Sequence, residues 1–375
     1  MKLPNNLKNL KNLIKLENNT QAIYYIILVI IIILIVITGL WIQDKLTLNK
    51  RNCLNISKTY PNFAKVSSIY SKDTSFSYNL RDYYIKTAYN CCAGGKYKND
   101  FVNLCALKNA IKQGARALDF EIYSVNNKPV VAVSSVDEYS IKQSYNSIPF
   151  EDVLKTISDY AFSSGTSPNP DDPLILHFRI KSNNIKIYNL MANAIYKNLE
   201  NKILGKEYSY EYGGKNLGAV PIKKFVGKAI IVVDKSNPLF ESTDLEEYIN
   251  ITSNSVFMRA YRFNNVVNTH NMNELINYNK KNMMITMPNL SSNNDNYSAN
   301  LCMKYGCQFI GMSLQNLDTN MKFYNKIFEN DHHAFVLKPE TLRFIPVTIE
   351  KPTPPPKEYS FGPREVSSDF YNFKV

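Results

Sequence analysis

The chain opens on two contrasting patterns. Residues 1–21 are polar and Asn-rich, with Lys2, Lys8, Lys11 and Lys15 set against one acid, Glu17. Ala22 to Ile42 is then an unbroken apolar run, long enough as a helix to span the ~30 Å hydrocarbon core of a bilayer. Tyr24, Tyr25 and Trp41 fall where interfacial aromatics are expected. The pattern predicts one transmembrane helix over 22–42. A cleaved signal peptide would have a shorter apolar region ending in small residues, and Trp41-Ile42-Gln43-Asp44 offers no such site.

Residues 43–78 read as a polar stalk, and from Asn79 onward short apolar runs alternate with helical periodicities. Strands are predicted at Tyr84–Thr87, 118–123, 128–133, Leu174–Ile180, Ala229–Val233, Val256–Arg259, 283–287, 309–312 and Ala334–Leu337. Between them lie helices around Leu104–Ile111, Glu151–Phe162, 184–200, 272–279 and 319–328. Strands and helices in alternation favour a parallel sheet, and the count fits a (β/α)8-type barrel. Lys351-Pro352-Thr353-Pro354-Pro355-Pro356-Lys357 is a stiff polyproline linker into a Tyr- and Phe-containing tail.

One strand carries candidate chemistry. After the helix ending at Gly114, Leu118, Phe120 and Ile122 alternate with Asp119, Glu121 and Tyr123. Two carboxylates on one face of a buried strand are expensive unless a cation accompanies them. A strand at a wet sheet edge is the competing explanation. What Asp119 and Glu121 face therefore decides the chemistry.

Composition changes this picture little. The formal net charge of +12 favours anionic partners, but the lysines are scattered and no nucleic-acid motif is present, so the weight moves to lipid. The six cysteines (Cys53, Cys91, Cys92, Cys105, Cys302, Cys307) have no zinc-site spacing. They read as buried thiols, with disulfides open if the domain lies outside the cytosol. The N-terminal lysines favour a cytosolic N-terminus, although Lys45, Lys50 and Arg51 follow on the other flank and leave the side of the barrel open. Sequons at Asn55, Asn250, Asn289 and Asn296 are frequent by chance in so Asn-rich a chain.

A set of spaced residues resembles a known family. Asn296-Tyr297-Ser298, Gly306-Cys307-Gln308, Gln315, Met321, Phe328, Asn330, Val336-Leu337-Lys338-Pro339 and Leu342-Arg343 follow the order of the Y half of eukaryotic-type phosphoinositide-specific phospholipase C. Asp152-Val153-Leu154, Ile157, Asp159-Tyr160-Ala161-Phe162 and the Gly114–Tyr123 strand resemble its X half. The resemblance covers roughly Asn79 to Phe344 and implies a distorted (β/α)8 TIM-type barrel preceded by one transmembrane helix. It divides the chain into a polar segment 1–21, the membrane helix 22–42, the stalk 43–78, an X half 79–235, a connector 236–249, a Y half 250–345 and a Pro-rich tail 346–375.

Members of that family cleave a phosphodiester with a general base, a calcium ion and a second histidine. Matched residue by residue, the family's two histidines fall on Tyr89 and Val133 in this chain. Of its metal ligands Asn90 remains, the Glu-x-Asp pair reads Asp119-Phe120-Glu121, and a further glutamate becomes Arg179. Its phosphate-binding lysines fall on Val232 and Asp234, and its substrate arginine and tyrosine on Ile285 and Met287. A phenol is a poor base at neutral pH and a valine moves no proton. The match implies that the Arg179 guanidinium occupies the space of the ion between Asp119 and Glu121.

The expectation is a membrane-anchored, catalytically degenerate barrel that acts by binding and needs no cofactor, with a phosphoinositide or a protein as partner and no nucleic acid. The alternative is an active phosphodiesterase with a rearranged site, in which Asn90, Asp119 and Glu121 hold Ca2+ and His177 is the nearby base. A third reading is a structural membrane or virion protein. His270, His332 and His333 match no catalytic position.

Overall fold

In a computed structural model, the structure describes residues 20–69, 73–346, 353, 359, 362–363 and 365–374. The lysine-bearing segment 1–19 and most of the polyproline linker lie outside the described residues.

Helix α1 (Thr20–Thr59) contains the apolar run, none of which is buried against the rest of the fold. It continues well past Ile42 into the expected stalk, because nothing between Gly39 and Pro61 breaks a helix. Its last turns dock on helix α2 (Leu104–Lys112). Cys53 and Cys105 form a disulfide there, and Asn52 Nδ2 donates to Asp100 Oδ1 at 2.7 Å. A cross-link closing a loop of 52 residues typically contributes ~2–4 kcal/mol. The described free cysteines, Cys91, Cys92, Cys302 and Cys307, are all buried.

Eight parallel strands build the barrel. They are β1 (Tyr83–Ala88), β2 (Ala117–Val125), β5 (Leu174–Ile180), β6 (Ala229–Asp234), β7 (Ile251–Ser253), β8 (Met258–Arg262), β9 (Met283–Met287) and β10 (Phe309–Met312). Their hydrogen-bonded order is β7-β6-β5-β2-β1-β10-β9-β8, so the ring is complete except for a seam between β7 and β8. Three further strands of the same sheet lie off the ring: β3 (Lys128–Ala132), which pairs antiparallel with β2; β4 (Ile148–Pro149), which extends β3; and β11 (Phe335–Leu337), which pairs antiparallel with β1. Buried Val, Ile, Leu and Phe occupy both faces of β5 and β6, as expected of strands covered by helices outside and side chains inside.

Two further departures from the sequence pattern have physical reasons. β7 is only three residues long, between Asn250 and Asn254, too short to show a period. The run at 128–133 is a strand, but a two-residue turn at Asn126-Asn127, both with positive φ, folds it back on β2 as a hairpin and keeps it off the ring. Helices α3 (Phe150–Ala161) and α4 (Ile185–Leu199) cover the X-half strands, each with an apolar face buried on the barrel.

Candidate functional site

The carboxylates of β2 point into the barrel and meet β5. β2 is paired on both sides, to β1 and to β5, so the wet-edge explanation does not hold. Register places Asp119 opposite His177 and Glu121 opposite Arg179. Period 2 then puts all four side chains on one face. All four are at least 98% buried.

Arg179 lies between the two acids. Its Nε donates to Asp119 Oδ1 (2.9 Å), Nη2 to Asp119 Oδ2 (2.8 Å) and Nη1 to Glu121 Oε1 (2.8 Å). Nη2 also donates to Asn90 Oδ1 at 2.9 Å. The remaining lone pairs are filled by protein donors. Asn90 N–H reaches Asp119 Oδ2 at 3.1 Å, while Tyr123 O–H and Ser134 N–H each reach Glu121 Oε2 at 2.9 Å. Burial disfavours the charged form of Asp119, but Arg179 and His177 outweigh it and hold its carboxyl well below the usual range. Burial also works against charge on Arg179, and Asp119, Tyr89 and Glu121 together outweigh it, keeping the guanidinium charged.

His177 links this cluster to the end of β7. Its Nδ1 is 2.7 Å from Asp119 Oδ1 and its Nε2 is 2.8 Å from Ser253 Oγ. A ring carrying its proton on Nδ1 satisfies both contacts, donating to Asp119 and accepting the Ser253 hydroxyl. The three side chains share the order of an Asp-His-Ser relay, yet all are buried and Asp119 is also held by Arg179.

Tyr89 and Val133, both buried, directly follow β1 and β3. The guanidinium carbon of Arg179 is 4.8 Å from the Tyr89 ring centroid. Tyr89 O–H is joined by Arg262 Nη1 at 3.0 Å, and Arg262 also donates to Pro288 O at 3.0 Å. Val133 is buried, and its carbonyl accepts from the Gln143 and Ser144 amides. The strands therefore bring Asn90, Asp119, Glu121, Arg179, Tyr89 and His177 into one cluster, with Val133 beside it. His270, His332 and His333 do not join it; His333 packs on Phe76 and bonds Ser67. Sequence reasoning missed Ser253, Ser134 and Arg262. Arg262 ends a strand at the barrel mouth, a placement that signals a site, whereas the two serines carry no local signal.

Comparison with known families bears on this site. Residues 76–235 match the X domain, and residues 229–341 the Y domain, of phosphatidylinositol-specific phospholipase C. The chain thus carries both domains of that family. Among solved structures, PLC21 of L. pealei aligns at a TM-score of 0.59 and 17% identity, over 72% of this chain and 38% of that one. PLC21 of S. officinalis aligns at 0.57 and 17%, with the same coverage. This chain therefore spans well under half the length of these two PLC21 chains. A calcium-dependent phosphoinositol-specific phospholipase C from Pseudomonas sp. aligns at 0.46 and 10% identity, over 66% of this chain and 94% of that one. No curated protein matches the chain by sequence.

Proposed function

We propose that the chain is a membrane-anchored phospholipase C-like barrel that no longer hydrolyses phosphoinositides and works as a binding module. The observation that carries this reading is the Arg179 guanidinium, bonded to Asp119, Glu121 and Asn90 where the family resemblance puts a calcium ion. These residues do not fit the ion. Calcium takes six to eight oxygen ligands, whereas here every oxygen of both carboxylates already accepts a protein donor beside a fixed positive charge. With no histidine at Tyr89 or Val133, the acid–base groups are also missing, each typically worth ~10²–10⁴-fold in rate. The Tyr89–Arg262 contact, drawing from both halves of the barrel, supports a fixed mouth that a partner protein docks on. Anchoring holds such a mouth at high local concentration against other membrane components.

The disulfide supports a partner other than inositol lipid. The Cys53–Cys105 disulfide favours a barrel on the oxidising side of the membrane, away from the cytoplasmic leaflet that carries inositol lipids. Two of the sequon residues, Asn250 and Asn296, are buried and bonded into the barrel, so neither can carry a glycan in the folded domain.

The test is turnover. Full-length protein in mixed vesicles containing phosphatidylinositol 4,5-bisphosphate is expected to release no inositol trisphosphate, with calcium or with chelator. Calcium-dependent release abolished by Asp119→Ala would replace this reading with that of an active enzyme.

A further inference from the structure

The place where α1 meets the barrel holds a second candidate site. The end of α1 and the whole of α2 lie side by side and are joined twice. At one end is the Cys53–Cys105 disulfide; at the other, Lys112 Nζ donates to the Tyr60 carbonyl (3.0 Å) and the Pro61 carbonyl (2.6 Å). Between the joints lies a cavity of about 300 Å³, at the lower end of the size that holds small molecules. Ile56, Tyr60 and Phe63 form one wall, and Tyr160, at the end of α3, closes another.

Its charge is one-sided. Lys108 and Lys112 line it and no carboxylate does. Lys112 is engaged by carbonyls, whereas Lys108 sits 4.4 Å over the Tyr160 ring and has no carboxylate or carbonyl partner among the described residues. A half-buried cation at the edge of an apolar slot is matched by a ligand with one anionic head and one hydrocarbon tail.

We propose that this open groove binds a long-chain carboxylate, its head on Lys108 and the nearer part of its chain between α1 and α2, the rest lying outside the slot. The source is the bilayer that α1 enters at Ile42, so the proposal rests on the anchor reading for the supply of ligand, though not for the binding itself. The amphiphile would fill the joint between membrane helix and barrel and stiffen it. Nothing in this site overlaps the Arg179 cluster.

The experiment uses the full-length protein in phosphatidylcholine nanodiscs with a diazirine-bearing palmitic acid, the labelled residues being mapped by mass spectrometry. Labels are expected within 53–63, 105–112 or at Tyr160, besides those in 22–42 that any lipid probe gives. A hydrogen bond to a charged group is worth ~1.5–3 kcal/mol, so Lys108→Glu should cut groove labelling ~10–100-fold and leave 22–42 unchanged. Lys108→Arg should retain it, and Ile56→Trp, which fills the slot, should remove it. Recovery of the cross-linked Cys53–Cys105 peptide certifies the fold of each variant. Labelling confined to 22–42, groove labelling indifferent to Lys108→Glu, or equal labelling by the matching fatty alcohol would overturn the proposal. A chain recovered free of membrane would refute the anchor alone, and the same labelling in solution would then decide the groove.

Discussion

Arg179→Ala is expected to lose ~3–5 kcal/mol of stability, because it leaves Asp119 and Glu121 buried without their cation. Urea unfolding of the full chain in micelles, followed by near-ultraviolet dichroism of the tyrosines, measures it. The loss comes from stranded charge more than from a missing bond. Arg179→Met combined with Asp119→Asn and Glu121→Gln should therefore be less damaging than Arg179→Ala, despite three changes. The pH dependence separates the two cases. In the parent the Asp119 carboxyl is held below its ordinary range, so its contribution is present above about pH 4 and lost as pH falls further. Without Arg179 burial dominates and raises that carboxyl, so Arg179→Ala should regain stability as pH falls. A variant that is least stable in acid, like the parent, would show that the ion cluster is not what holds β2 to β5.

The second large effect is a gain. Arg179→Glu replaces the fixed cation with a third carboxylate in the same buried space, beside Asn90, Asp119 and Glu121. In chelator this variant should be severely destabilised by like-charge repulsion. Calcium should restore it, since a ligand that binds only the folded state at 100 times its Kd adds ~2.7 kcal/mol. Thermal unfolding with calcium and with chelator reads this directly. A calcium-dependent rise in Tm for the variant, absent in the parent, is expected. No rise would mean that the pocket around Arg179 is not a converted metal site. Turnover should stay absent, because Tyr89 and Val133 still supply no acid–base group.

Much of this site was legible before the structure, and the limits are instructive. Period 2 alone puts Asp119 with Glu121 on one face, and the same period along Leu174–Ile180 sets His177 with Arg179, since each pair is two residues apart on a strand. That the two pairs face each other needed the barrel order, in which β5 is the neighbour of β2, and only the family resemblance supplied it. Ser253 was invisible because β7 is three residues long and its serine lies in a run of small polar residues. The Cys53–Cys105 disulfide was open among several pairings, since connectivity follows from three-dimensional proximity and not from spacing. Length and hydropathy found the apolar helix but not its continuation to Thr59, which the lack of a breaker before Pro61 allows and docking against α2 favours.

The central claim is that a guanidinium stands in this barrel where an ion would otherwise sit. Isothermal titration of calcium into the full-length protein in phosphatidylcholine nanodiscs, with Arg179→Glu alongside, tests it most directly. No saturable heat is expected from the parent up to the millimolar range, where even weak calcium sites fill, and saturable binding is expected from Arg179→Glu. Saturable binding by the parent that is lost in Asp119→Asn would contradict it.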